Sequence, residues 1–108
     1  MVNHELDHTL MALADPTRRA IIQSLAKGEA RITEIAKPFP ISLNAVSKHI
    51  RILERANLVT RRREGREHLI GCNPKPLDEA AIWIDEMRNL WNYRLQVLDD
   101  LLIQEDKL

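Results

Sequence analysis

Cysteine is nearly absent from this 108-residue chain: Cys72 stands alone, so no internal disulfide can form. Glycine is scarce as well, with three residues scattered along the sequence, which excludes a glycine-rich phosphate loop. No run approaches the ~18 consecutive apolar residues of a membrane span. The N-terminal MVNHELDHTL carries acids and lacks an apolar stretch, so no signal peptide is expected. No serine occupies a strand–turn–helix elbow of the kind that presents a nucleophile. The acid pairs Asp85-Glu86 and Asp99-Asp100 fall in an expected helix with no cleft to hold them, the pattern of a solvated face rather than of a catalytic dyad. These absences point to a cytosolic protein that is not an enzyme, needs no cofactor and engages no membrane.

The charge total is also empty, 16 Lys/Arg against 16 Asp/Glu, but the charges are segregated. From Arg31 to Ile70 there are nine Lys/Arg against four Glu, net +5; from Leu77 to Leu108 there are eight acids against three bases, net −5. A basic middle suits a polyanion, and an acidic end suits a face turned away from it. The length suits one domain, residues 1–108, with a modest core.

The middle is built around ISLNAVSKHIRILERANLV, Ile41 to Val59. Ser42 is an N-cap candidate, since its hydroxyl can accept from a free N–H of the first turn. Ile41 and Val46 have the spacing of a hydrophobic staple. Leu43, Val46, Ile50 and Leu53 form one apolar stripe at helical spacing. The opposite face carries Asn44, Ala45, Ser47, Lys48, His49 and Arg51. Asn57 ends the helix, because Asn tolerates the left-handed backbone of a C-terminal cap.

Around it the chain reads as mainly α. A first helix is expected over His4–Leu13, with Leu6, Leu10 and Leu13 on one side. A second runs from Pro16 to about Ala26, capped by Asp15 and stopped at Lys27-Gly28, with Ala20, Ile21, Ser24 and Leu25 inward. After the extended Ala30–Ile32, Thr33 caps a short helix from Glu34 to about Lys37, curtailed by Pro38 and Pro40. A short helix, a turn and the Leu43–Ala56 helix make a helix-turn-helix plan, which also occurs in packed α cores. Leu58–Arg63 and Arg66–Cys72 then read as a hairpin about Glu64-Gly65. Arg61, Arg62, Arg63 and Arg66 crowd its tip, where they repel one another unless an anion is near. An arginine wing beside a polar helix fits double-stranded DNA, the wing holding phosphates while the helix reads bases; a merely solvated hairpin is the plain alternative.

Beyond the Asn73-Pro74-Lys75-Pro76 linker, a last helix extends to about Gln104. Ala80, Ile84, Met87, Trp91, Leu95, Leu98 and Leu102 form one stripe; Trp83, Leu90, Val97 and Leu101 form a second. Together they exceed the arc one small core uses. One stripe is expected to cover the chain's own core and the other a partner, most simply a second copy, with Leu6 and Leu10 joining. The pattern does not say which stripe does which. The expected interface therefore takes Leu6, Leu10, Trp83, Met87, Leu90, Trp91, Val97, Leu98 and Leu101.

LADPTRRAIIQSLAKGE, ITEIAKPFPISLNAVSKHIRILERANLV and RRREGREH together resemble the ArsR-type winged helix-turn-helix repressors, over about Leu10 to Leu77. Asn57 stands where that family usually has Gly. The resemblance implies about five helices with a two-stranded β-wing, a homodimer joined by the first and last helices, and a recognition helix in the major groove of a palindromic operator. It implies base readers at Ser42, Asn44, Ala45, Ser47, Lys48 and His49, and wing contacts from Arg62, Arg63 and Arg66. Metal-sensing members carry a cysteine pair on the third helix or His/Asp ligands on the last. Neither stretch has Cys or His here, so no metal site of those kinds is expected and the chain looks like the metal-independent branch. Repression, operator and releasing effector rest on that analogy or stay open. Two alternatives stand beside it: a metal- or redox-responsive repressor using His4/His8 or Cys72, and a helical adaptor working through its last helix.

Overall fold

A computed structural model describes residues 3–106. Its elements are α1 (His4–Leu13), α2 (Pro16–Ser24), a 3₁₀ turn (Leu25–Lys27), β1 (Ala30–Arg31), α3 (Ile32–Ala36), α4 (Leu43–Arg55), β2 (Val59–Glu64), β3 (Glu67–Cys72) and α5 (Lys75–Asp106).

Side-chain caps fix three helix starts. Asn3 accepts from the N–H of Leu6 at 3.1 Å, Asp15 from that of Arg18 at 2.9 Å, and Ser42 from that of Ala45 at 3.1 Å. Each satisfies a donor the helix itself cannot. The end of α4 is a Schellman turn: Asn57 has φ +60°, its N–H donates to Glu54 O at 2.9 Å, and that of Leu58 donates to Leu53 O at 3.0 Å. Leu53 and Leu58 are both fully buried, giving the apolar contact that accompanies this motif.

The core lies where α2, α3 and α4 meet the sheet. Ile21, Val46, Ile50, Leu53, Leu58 and Ile70 are its fully buried side chains, and Leu25 and Ile35 complete it. The α4 stripe holds at Val46, Ile50 and Leu53 but not at Leu43, which is 49% exposed; the first turn of α4 begins before the helix reaches the core. Ser24 also faces out, its hydroxyl folded back onto Ile21 O at 2.6 Å. The third helix starts earlier than expected, at Ile32, with Arg31 at its cap position and no side-chain cap bond.

The wing is more than a two-stranded hairpin. Three antiparallel strands lie in the order β1-β3-β2, with Ala30 opposite Ile70 and Arg31 opposite Leu69. Glu64 faces Glu67 across a two-residue turn, so Arg66 lies in the turn rather than in the return strand. Gly65 there has φ +63°, a backbone shape at the first turn position that favours glycine.

The last helix is the largest departure from expectation. Of its 32 residues only Pro76 and Ala80 are buried. Neither stripe covers the chain's own core beyond Ala80: Trp83 is 41%, Leu90 50% and Trp91 64% exposed, and Met87 is half-buried. A helix of this length spans about 48 Å, and it stretches the molecule to 75 × 30 × 23 Å with a radius of gyration of 20.1 Å, against about 13 Å for a compact chain of this size. In α1 the buried residues are the small Thr9 and Ala12, whereas Leu6 is half-buried and Leu10 lies toward solvent. The α5 rod leaves the body at a defined joint. Asn73 donates its backbone N–H to Leu58 O at 2.9 Å and its side-chain amide to Asn57 O at 2.8 Å, tying the end of α4 to the root of α5.

Candidate nucleic-acid interface

The apolar stripe of α4 is buried on one side, which leaves the other free. Ser42, Asn44, Lys48 and Arg51 are exposed, while Ala45, Ser47 and His49 are half-buried between the two faces. The Ser42 hydroxyl accepts the cap bond and keeps its proton and one lone pair to offer outward. Asn44, Lys48 and Arg51 have no side-chain partner among the described residues and stand on neighbouring turns of one helix face.

His49 is held from behind. Its Nδ1 lies 3.2 Å from Arg18 Nη1 and 3.9 Å from Asp15 Oδ2. Arg18 is itself pinned to the end of α1, donating from Nε to Ala12 O at 2.7 Å and from Nη2 to Met11 O at 3.2 Å. The backbone N–H of Arg18 is the chief reason that the Asp15 carboxyl is held below its ordinary range. Sequence reading missed Arg18, because its partners lie on α1 and α4 and leave no periodic trace around it.

The wing arginines are not bare. Arg61 makes a two-pronged bridge to Glu54 on α4, at 2.6 and 3.2 Å, with both side chains largely shielded. That hydrogen bonding raises the guanidinium above its already high range and fastens the wing to the recognition helix. Arg62 bonds Glu29 from Nε and Nη2 at 3.1 Å and Glu64 from Nη1 at 3.2 Å, with Glu29 the main cause of its raised value. Glu29 was likewise missed; 33 residues separate it from Arg62. Its stem lies over Gly71, where an added Cβ would stand 3.3 Å from Glu29 Cγ, so the bare backbone of β3 leaves room for the clamp. Arg63 curls onto Gly65 O at 3.0 Å, a neutral acceptor that leaves its charge uncompensated. Arg66 is exposed at the tip, with no partner among the described residues. Arg31 adds a further cation beside the wing, paired with Glu67 at 2.6 Å.

His4 and His8 are exposed on α1, Cys72 is a half-buried free thiol, and His68 is exposed on β3 opposite Arg63. Among the described residues no three His, Cys, Asp or Glu side chains come together as a metal-holding group. No described helix is long and apolar enough to cross a membrane.

Comparison with known proteins agrees with this arrangement. A family profile described as a helix-turn-helix domain matches residues 13–62, from the end of α1 into β2. The HTH-type transcriptional regulator Rv2034 of Mycobacterium tuberculosis is 41% identical over 99 residues, covering 92% of this chain and 90% of that protein. The transcriptional repressor SdpR of Bacillus subtilis is 30% identical over 79 residues, covering 73% and 88%. Among solved structures, the ArsR family transcriptional regulator RHA00566 is 34% identical with a TM-score of 0.79, covering 85% of this chain and 95% of its own.

Proposed function

The chain belongs to the ArsR family of winged helix-turn-helix transcriptional regulators, and from that premise we propose that it is a homodimeric, metal-independent repressor binding a palindromic operator. The observation that carries the reading is the two-faced α4. Val46, Ile50 and Leu53 bury one side completely, a cap and a Schellman turn fix both ends, and the free side presents Asn44, Lys48 and Arg51 beside a hairpin bearing Arg63 and Arg66. Helix side chains of this kind read base edges, and wing cations hold phosphates.

The homodimer is supported by the α5 rod, whose large apolar residues from Leu90 onward lie exposed in the single chain. A second copy related by a two-fold axis supplies the same stripes in return. Two recognition helices then enter successive major grooves ~34 Å apart. Residues 1–108 act as one unit in which α1 and α5 join the copies. The metal-free reading is supported by side-chain chemistry, since α3 and α5 contain neither His nor Cys and so lack the soft or nitrogen donors transition metals select. Among the described residues no serine, threonine or cysteine side chain is hydrogen-bonded to a histidine or a carboxylate, which supports action by binding, on DNA in the cytoplasm.

Fluorescence anisotropy on the DNA upstream of its own gene tests this. With Arg63 and Arg66 of both copies on phosphates, log affinity should fall with log salt at a slope of about −4. A protein that binds no duplex in dilute buffer, or binds all duplexes alike, overturns the reading.

A further inference from the structure

We propose that Arg18 fixes the hydrogen-bonding sense of His49, so that the recognition helix offers an N–H donor at His49 Nε2 and rejects cytosine at the base it faces. This rests on the DNA-reading role given to α4 above. A guanidinium has donors only. The 3.2 Å contact between Arg18 Nη1 and His49 Nδ1 is therefore a hydrogen bond only if Nδ1 keeps its lone pair, and the neutral ring must then carry its hydrogen on Nε2. Asp15 Oδ2, at 3.9 Å from Nδ1, is beyond hydrogen-bond reach and does not compete for that position. If the ring is protonated instead, Nε2 still carries a hydrogen. Its outward edge is a donor in both states.

Arg18 cannot easily swing away, because Ala12 O and Met11 O hold the rest of its guanidinium. Nε2 is accessible. Among the described residues no buried side-chain nitrogen or oxygen lacks a partner, and His49 Nε2 has none, so it reaches solvent. It does so one turn from Ala45 and next to Lys48, at the flank of α4 where the buried face gives way to the free one. In the major groove guanine offers N7 and O6, adenine N7 and thymine O4 as acceptors, whereas cytosine offers only its N4 amino donor. A fixed donor set against a donor leaves both unpaired. Arg18 is thus a positioning residue and His49 the reader.

Two measurements on the full chain test this separately. Long-range ¹H–¹⁵N correlation of the imidazoles in DNA-free protein, with His49 assigned through H49A, should show a protonated Nε2 and a lone-pair Nδ1. Arg18→Met should give a mixture of tautomers, Arg18→Lys should restore the single one, and thermal melting checks that each variant is folded. Duplexes enriched by the wild type from a random-sequence pool are then substituted base by base. Cytosine at one position per half-site should cost the wild type and R18K about tenfold more than it costs H49A, with R18M between. A hydrogen on Nδ1 alone in the wild type overturns the role of Arg18 whatever the DNA result. The expected tautomer with unchanged base preference in H49A overturns the role of His49. Failure of the wild type to enrich any duplex overturns the DNA reading itself, and this proposal with it.

Discussion

Replacing Trp91 with alanine should separate the two copies while leaving each body folded. Trp91 is 64% exposed in the single chain. An aromatic of this size carries up to about 250 Å², so about 160 Å² per copy is free to be covered, worth about 4 kcal/mol at ~25 cal/mol per Å². A two-fold interface counts the residue twice. Alanine retains part of the contact and helix pairing leaves an outer edge wet, so about half of the doubled figure, about 4 kcal/mol per dimer, is the expected loss. At 1.4 kcal/mol per tenfold this is roughly a thousandfold in dimer Kd. Sedimentation velocity across nanomolar to high micromolar concentrations measures it directly. The body should keep its melting behaviour, because Trp91 lies toward solvent and α5 has no fully buried residue beyond Ala80; only the helical signal of the far rod should weaken as dimers are lost. An unchanged dimer constant would refute the assignment of this stripe to the seam. Loss of the melting transition along with dimerisation would refute the independence of body and rod.

Glu29→Gln should release Arg62 from its main partner; two more phosphate contacts per dimer would steepen the salt slope by about 2, and an unchanged slope in an anisotropy titration would mean the clamp survives on DNA. Asp15→Ala should cost about 1 kcal/mol at neutral pH through loss of the α2 cap. Because the Asp15 carboxyl is held below its ordinary value in the folded protein, its contribution is complete above the unfolded value and fades as pH falls through the folded one. Urea melts of wild type and D15A should therefore converge in acid, and a gap that widens there would reverse the assignment. Asn57→Ala should destabilise by about 1 kcal/mol at the left-handed position, lowering Tm by roughly 4–8 °C, whereas Asn57→Gly should match or exceed the wild type; equal melting of N57A and wild type would show that the turn relaxes.

Local rules made most of the fold legible. Asp15-Pro16, Ser42 and Asn57 each specify a helix end through one side chain or one backbone preference, and the structure uses all three as read. The α4 stripe was legible from spacing because Val46, Ile50 and Leu53 meet one continuous core. What escaped were contacts between side chains on different elements. Glu29 clamping Arg62, Glu54 bridging Arg61 and Arg18 steering His49 depend on how α1, α2 and the sheet come together, and no periodicity encodes a carboxylate 33 residues from its cation. For the same reason the hairpin looked like a set of free arginines, when Arg61 is structural and Arg62 is already engaged. The short β1 escaped because two residues carry no pattern of their own. The α5 stripes were legible as apolar, yet assigning one of them to the chain's own core assumed a body long enough to cover it, and that body ends at Ala80.

Asn73 sets a tolerance for the whole machine. Its two bonds to Asn57 and Leu58 weld the pivot of each arm to the butt of the helix that probes the groove, so the angle at this weld fixes the distance between the two probes. With the 13 residues of α4 reaching about 20 Å from this weld, a tilt of about 5° in each of two copies would change the spacing of their probes by about 3.5 Å, close to the 3.4 Å step from one base to the next. In the proposed dimer, a spacing set this finely would measure operator length as well as operator letters, and a pull on the arm of a few degrees would put its teeth out of mesh.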